Sequence, residues 1–206
     1  TLIMTDVGEI VFLPRLIDYA RRQAPGVRFR TVQLSTEATR RSLESGEVDL
    51  AVGYVPDLTT GVVQRRLLSS HYVCVVRRGH PEIGERISRR QFMQASHALA
   101  EAQGTGHYVV ERELERLGLA RRIGVRIPHF LALPMIIAAS DMVATIPLPL
   151  AAAFREPAAI RALEVPIRLP RLDIRQFWHQ RYHDDPANRW LRQTLIALFQ
   201  DVSWQA

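Results

Sequence analysis

Two short polar stretches stand at junctions where a ligand or a helix could use them. Thr5-Asp6 and Ser35-Thr36 each separate a strand-like apolar run from a segment of helical period. A hydroxyl or carboxylate there can cap a helix by accepting from its first N–H groups. At the carboxyl end of a parallel strand the same group can face a ligand, and the helix start adds N–H donors and a dipole that favour an anion. One residue can serve both ends. Gly104-Thr105-Gly106-His107 is a third candidate: its glycines let backbone approach a ligand, and the imidazole can donate or accept one hydrogen bond. A turn followed by a cap explains the same four residues. His129-Phe130 repeats the logic at another expected helix start, where histidine is a poor cap. Ser70 and His71 lie between two strand-like runs, and Phe12 offers an apolar ring face to an aromatic ligand or to the core.

Other chemistries find no support. The 7 histidines form no ligand pair such as H-E-x-x-H, and the phosphate-loop, dinucleotide and nucleophile-elbow fingerprints are missing. We therefore expect no metal, no cofactor and no enzymatic activity. Cys74 is the single cysteine and sits in the apolar run Tyr72–Val76, so an intrachain disulfide and a cysteine-rich metal site are excluded. A reducing, cytoplasmic setting is expected.

The 206 residues carry 27 cationic side chains against 21 acidic ones, a formal charge of +6, and every cation is arginine. The arginines come in scattered pairs without interleaved aromatics, which reads as compositional bias rather than a nucleic-acid surface. No stretch approaches the roughly 20 apolar residues that span a bilayer. Thr1–Thr5 lacks the basic head of a signal peptide and meets Asp6 and Glu9 at once. With no initiator methionine, we expect a segment of a longer protein.

The elements that must position these residues follow from periodicity. Leu2–Met4 reads as a strand, Leu13, Leu16, Ile17 and Ala20 mark a helix up to Pro25-Gly26, and Val27–Leu34 reads as a second strand. A helix from Ser35-Thr36 stops at Gly46, and Val48–Val52 follows as a buried strand. Such βαβαβ order demands parallel strands with crossover helices on both faces. Strand-like Val62–Leu68 and Tyr72–Arg77 interrupt it. Alternation resumes with a helix capped by Ser88, strand 97–102, helix Tyr108–Leu117, strand Ile123–Ile127, helix Phe130–Ala139, strand Met142–Ile146, helix Leu148–Phe154 and strand Ile160–Val165. Strand Ile174–His179 and a helix opening at Asp185-Pro186 come last. The fold class is α/β, as two Rossmann-like lobes with a hinge: residues 1–69 and 173–206 as lobe I, 70–172 as lobe II. Lobes of this kind would meet at a cleft suited to a small ligand.

Several segments carry a family likeness. "LSTEATRRSLESGEVDLAVG" (Leu34–Gly53), "VVRRGHPEI" (Val75–Ile83), "IAASDMVATIP" (Ile137–Pro147) and "DPANRWLRQTLIALF" (Asp185–Phe199) resemble the effector-binding domain of LysR-type transcriptional regulators. "MTDVGEIVFLP" (Met4–Pro14) and "IPHFLALP" (Ile127–Pro134) are similar to the branch of nodulation and aromatic-degradation regulators. The resemblance implies a type 2 periplasmic-binding-protein-like fold and a small organic, aromatic acid effector between the lobes. It implies a homo-oligomer, dimer or tetramer, with the Leu13/Leu16/Ile17/Ala20 helix face as a candidate contact and, equally, a candidate for the core. DNA would be bound only through a winged helix-turn-helix domain preceding such a segment, and no membrane is involved. The effector contacts it implies are Thr5, Asp6, Phe12, Ser35 and Thr36; Ser70, Gly104, Thr105, Gly106, His107, His129 and Phe130 join them as candidates on their own chemistry and position. A solute-binding protein of a transport system shares the fold and is the alternative.

Overall fold

The structure is a computed structural model that describes residues 1–101, 108–156, 158–200 and 202. In chain order, β1 (Leu2–Ile3), α1 (Asp6–Gln23), β2 (Thr31–Val32), α2 (Thr36–Ser45), β3 (Leu50–Gly53) and β4 (Val62–Ser70) come first. Then follow β5 (Tyr72–Arg77), α3 (Arg89–Gln94), β6 (Ser96–Ala100), α4 (Tyr108–Arg116), β7 (Arg122–Ile127), α5 (Leu133–Ala138), β8 (Val143–Pro147), α6 (Leu148–Phe154) and β9 (Ile160–Glu164). Last are β10 (Leu172–His179) and α7 (Pro186–Phe199). They divide into two compact units: one holds Thr1–Ser69 and the stretch from Asp173 onward, the other the described residues between Ser70 and Leu172.

The first unit is built on a five-stranded sheet in the order β2-β1-β3-β10-β4. β1 runs parallel to both β2 and β3, while β10 pairs with β3 in the opposite sense, Phe177 opposite Ala51. Alternation along the strands sends Ile3, Ala51 and Phe177 to one face, where they join Leu43 of α2, Val48 and Leu58 in a buried cluster. The other face is covered by α1 and α7, whose Phe12 and Phe199 meet edge to face with centroids 4.7 Å apart. Gln176, fully buried, donates from its amide to the Arg192 carbonyl of α7.

In the second unit the order is β7-β6-β8-β5-β9, again five strands. β6 is parallel to β7 and β8, and β5 is antiparallel to β8 and β9. Tyr72–Val76 of β5 are all buried, so the run of consecutive apolar residues reflects a strand covered on both faces. α5 packs on β5 and β6, and α6 on β5, β8 and β9.

Three expectations need correction. The strand expected over Val27–Leu34 shrinks to Thr31–Val32, because β2 is a sheet edge and residues 27–30, with Val27 42% exposed, have no packed face to hold them in the ladder. The helix expected over Phe130–Ala139 is two pieces: a 3-10 turn at Phe130–Ala132, then α5 with Pro134 in its first turn. Pro134 stands in the first turn of α5, where its missing N–H has no intrahelical partner to lose, so it marks a fresh helix start after the 3-10 turn. The proposed contact face of α1 is split as well, since Leu16 and Ala20 are core residues and Ile17 is 50% exposed.

α2 ends at Gly46 in the left-handed region, φ 79° and ψ 11°, and a Cβ there would run into the Tyr182 hydroxyl. Gly46→Ala is expected to lower the unfolding free energy by about 1–3 kcal/mol in urea titration, the usual cost of left-handed backbone for a non-glycine residue. An unchanged midpoint would show that α2 ends some other way.

Candidate functional site

Because β2, β1 and β3 are parallel neighbours, the segments that leave them all begin at one edge of the sheet. Thr5 leaves β1 with φ −83° and ψ 170°, and its hydroxyl accepts from the Gly8 N–H at 3.3 Å. Asp6 accepts from the Val7 N–H at 3.0 Å, and the Thr5 carbonyl accepts from Glu9 N–H at 2.9 Å. Ser35 does the same for α2: its hydroxyl accepts from Ala38 N–H at 3.3 Å and its carbonyl from Thr39 N–H at 2.8 Å. Thr36 is the first residue of α2 and is half-buried. Thr5, Asp6, Ser35 and Thr36 are thus brought to one edge. Gly53 and Tyr54, which leave β3 there, escaped the sequence reading. The signal was available: Gly53 ends the third parallel strand and Tyr54 follows it, as Thr5 follows the first.

The two helix starts differ electrostatically. In α1 the caps consume the N–H groups of Val7 and Gly8, and Asp6 and Glu9 place two carboxylates in the first turn. Glu9 also accepts from the Thr31 hydroxyl at 2.7 Å. These groups stabilise the helix dipole from within. α2 has only Glu37 in its first turn, and the pairing of Glu37 with Arg40 at 2.9 Å turns that carboxylate along the helix. The Arg40 guanidinium holds the Glu37 carboxyl below its ordinary range.

The remaining candidates are dispersed. Phe12 is 3% exposed and packs on Phe199, placing it in the core of the first unit. Ser70 ends β4, is 4% exposed, and its hydroxyl has no partner among the described residues. The neighbouring His71 is exposed and its carbonyl accepts from Leu148 N–H at 2.9 Å. His129 precedes the 3-10 turn at Phe130–Ala132 with an extended backbone and makes no side-chain cap, while Phe130 is buried beneath it. Both follow β7, so they lie at the carboxyl-end edge of the parallel strands β7, β6 and β8 in the second unit. Gly104, Thr105, Gly106 and His107 lie outside the described residues. Among the described residues no group of three His, Cys, Asp or Glu side chains could hold a metal ion.

The largest shifts in proton affinity lie in the interior of the second unit. Burial pushes the Cys74 thiol up to about 12, with nearby Arg121 pulling the other way. His97 is fully buried in β6; burial lowers it to about 4, the Phe92 carbonyl that accepts its Nε2–H at 2.6 Å raises it, and Arg121 lowers it further. The Arg121 side chain is only 2% exposed and pairs with Glu111 of α4. Its burial lowers its proton affinity, and Glu111 offsets part of that.

Two sheets of mixed sense, each with a parallel set feeding helices, define the two-lobed type 2 periplasmic-binding-protein-like class of regulatory domain. The comparisons specify it further. Residues 2–200 match the LysR substrate binding domain, and the chain belongs to that family. It is 45% identical over 201 residues to the HTH-type transcriptional activator NahR of Pseudomonas putida, an alignment covering 98% of this chain and 67% of that protein. It is 38% identical to the HTH-type transcriptional activator NagR of Ralstonia sp, with 98% and 67% covered. A probable transcriptional regulator from Pseudomonas aeruginosa superimposes with a TM-score of 0.86 at 29% identity, covering 97% of this chain and 66% of the other. The chain therefore spans about two thirds of the length of these relatives.

The buried His97 makes stability depend on pH. Its folded value lies below the unfolded 6.5, so the folded state binds fewer protons and its contribution, complete above pH 6.5, is lost as pH falls toward 4. Between pH 7 and pH 5 the loss is expected to be about 2 kcal/mol, from the linkage relation. Urea titrations at the two pH values would measure it, and a flat profile in that window would mean that His97 is not buried in neutral form.

Proposed function

We propose that this chain is the effector-sensing part of a LysR-type DNA-binding transcriptional regulator and that its effector is a small aromatic acid. The observation that carries the reading is the parallel set β2-β1-β3, which gathers Thr5, Ser35 and Thr36 at one edge beside two helix starts. Because α1 is largely satisfied by its own caps, the acid group belongs at α2, where the Thr36 hydroxyl and the outward-facing N–H groups of Thr36 and Glu37 can donate. Thr5 and Asp6 flank that place, and Tyr54, which follows β3 at the same edge, supplies a further polar contact; within the second unit, Ser70 and His129 are the candidate polar contacts. Phe12 and Phe130 are buried, each within its own unit. The aromatic character rests on the likeness of Met4–Pro14 and Ile127–Pro134 to regulators of aromatic degradation.

An effector changes transcription only by binding one arrangement of the regulator better than another. In this reading operator contact belongs to a winged helix-turn-helix region outside the segment described, and the segment performs no chemistry on its ligand. Homo-oligomerisation belongs to the same reading. Sedimentation at high protein concentration is expected to show a dimer or tetramer, and a strict monomer would remove that part of it.

Calorimetric titration with benzoate-like, salicylate-like and flavonoid-like compounds is expected to give heat with at least one acid. Thr36→Val keeps the side-chain shape and deletes the hydroxyl; it should weaken that binding about 10–100-fold, the worth of a hydrogen bond to a charged group, with the circular dichroism spectrum unchanged. Heat from a sugar or a cation with none from any acid would overturn the assignment.

A further inference from the structure

The turn that joins β10 to α7 lies away from the candidate site. β10 runs antiparallel to β3 with Phe177 opposite Ala51, so its last residues lie beyond the amino end of β3, at the sheet edge opposite Thr5 and Thr36. Histidine nitrogens hold this turn at two points. The indole Nε1–H of Trp178, a residue only 5% exposed, donates to His183 Nδ1 at 3.3 Å. One residue on, His179 Nδ1 accepts from the Arg181 N–H at 3.2 Å. Backbone bonds close the rest: Gln180 N–H donates to the Gly61 carbonyl at 3.2 Å, and His183 N–H to the Gln180 carbonyl at 3.1 Å. From α7, Arg192 donates to the His183 carbonyl at 2.5 Å and sets its guanidinium 4.3 Å from the centre of the Trp178 ring.

These contacts commit both imidazoles to one chemical form. A ring nitrogen that accepts an N–H carries no proton, so His179 and His183 are both neutral Nε2–H tautomers. Neither ring has a lone pair left for a metal ion. A second proton on either ring turns Nδ1 into a donor, which then faces the N–H it had accepted from. At His183 this strips the largely buried Trp178 N–H of its acceptor and adds a cation to a turn that already holds Arg192. The other charged or titratable groups on the elements packed there are Arg189 of α7, and Arg181, Tyr182, Asp184 and Asp185 of the turn itself. Glu47 and Asp49 precede β3, where Tyr182 lies against Gly46 and Asn188 donates to the Asp49 carbonyl; the Gly61 side brings backbone alone. Histidine is the side chain whose ordinary charge change falls between about pH 5 and 8. We propose that the turn from His179 to Asp185 is an acid-released latch, closed while His179 and His183 are neutral and opened by their protonation with the first sheet still folded. Opening frees the Trp178 and Arg181 N–H groups and uncouples the start of α7 from β10.

Nitrogen-15 spectra of the unmodified protein test this. At about pH 7.5, where histidine is ordinarily neutral, His183 is expected as the Nε2–H tautomer with the Trp178 indole N–H protected from solvent exchange. On acidification to about pH 5.5 that protection, corrected for the intrinsic exchange rate, should fall about 10-fold, the worth of one hydrogen bond. The fall should follow His183 protonation while the amides of β3 and β10 stay protected. His97, lowered to about 4 by burial, stays neutral over this range and is not the cause. His183→Asn sets an amide oxygen near the place of Nδ1 and gains no proton, so the indole should stay protected in acid. His183→Gln lacks an acceptor there and should leave the indole unprotected at both pH values. The Arg181 amide reports on His179 in the same way, with His179→Asn as its control. An Nδ1–H tautomer of His183 at the higher pH, protection that does not follow the His183 titration, or its loss in acid in a folded His183→Asn protein would each overturn the proposal.

Discussion

The parallel pairing of β1 with its two neighbours is the constraint from which the rest of the first unit follows. Parallel strands cannot be joined by a tight turn, so each must be left by a crossover, and α1 and α2 consequently start at the same sheet edge. Every helix start presents N–H groups with no intrahelical partner, which is why hydroxyl-bearing Thr5 and Ser35 stand where they do. A ligand edge rich in oxygen and N–H groups is thus a by-product of building the sheet. What distinguishes its two halves is how fully each helix meets its own needs, and α1, with Asp6 and Glu9 in its first turn, is the more self-sufficient.

The second unit solves the same topological problem and adds a polar interior. A buried guanidinium is costly to desolvate and is kept only where a carboxylate and further hydrogen bonds compensate it. Glu111 supplies the carboxylate from α4, so the ion pair fastens that helix to the start of β7. A neutral histidine and an inert thiol sharing the same sheet face are compatible with such a charge because neither adds a second one.

Local pattern conveyed much of this and long-range pairing conveyed little. Helix limits such as Ser35 to Gly46 and Asp185-Pro186 were legible because capping chemistry is local. β10 was recognisable as a strand, yet nothing in Ile174–His179 announces that it lies between β3 and β4 and runs antiparallel to β3. The pair Arg121-Arg122 looks like a solvated charge run, and only the fold separates a buried Arg121 from an exposed Arg122. His97 did carry a signal: a lone imidazole in the otherwise small and apolar run Ala98-Leu99-Ala100 must find partners indoors. Phe12 shows the opposite case, since an aromatic near a helix start suits a ligand wall and a core equally until Phe199 is seen against it.

The place of β10 has a consequence for how the chain is made. All five strands of the second sheet lie within residues 72–164, whereas the first sheet has a gap between β3 and β4 that only residues 172–179 can fill. During vectorial synthesis β4 therefore emerges long before its neighbour in the sheet, and the later-translated unit can complete its hydrogen bonds while the earlier one still waits. The half that leaves the ribosome first is the half that finishes last.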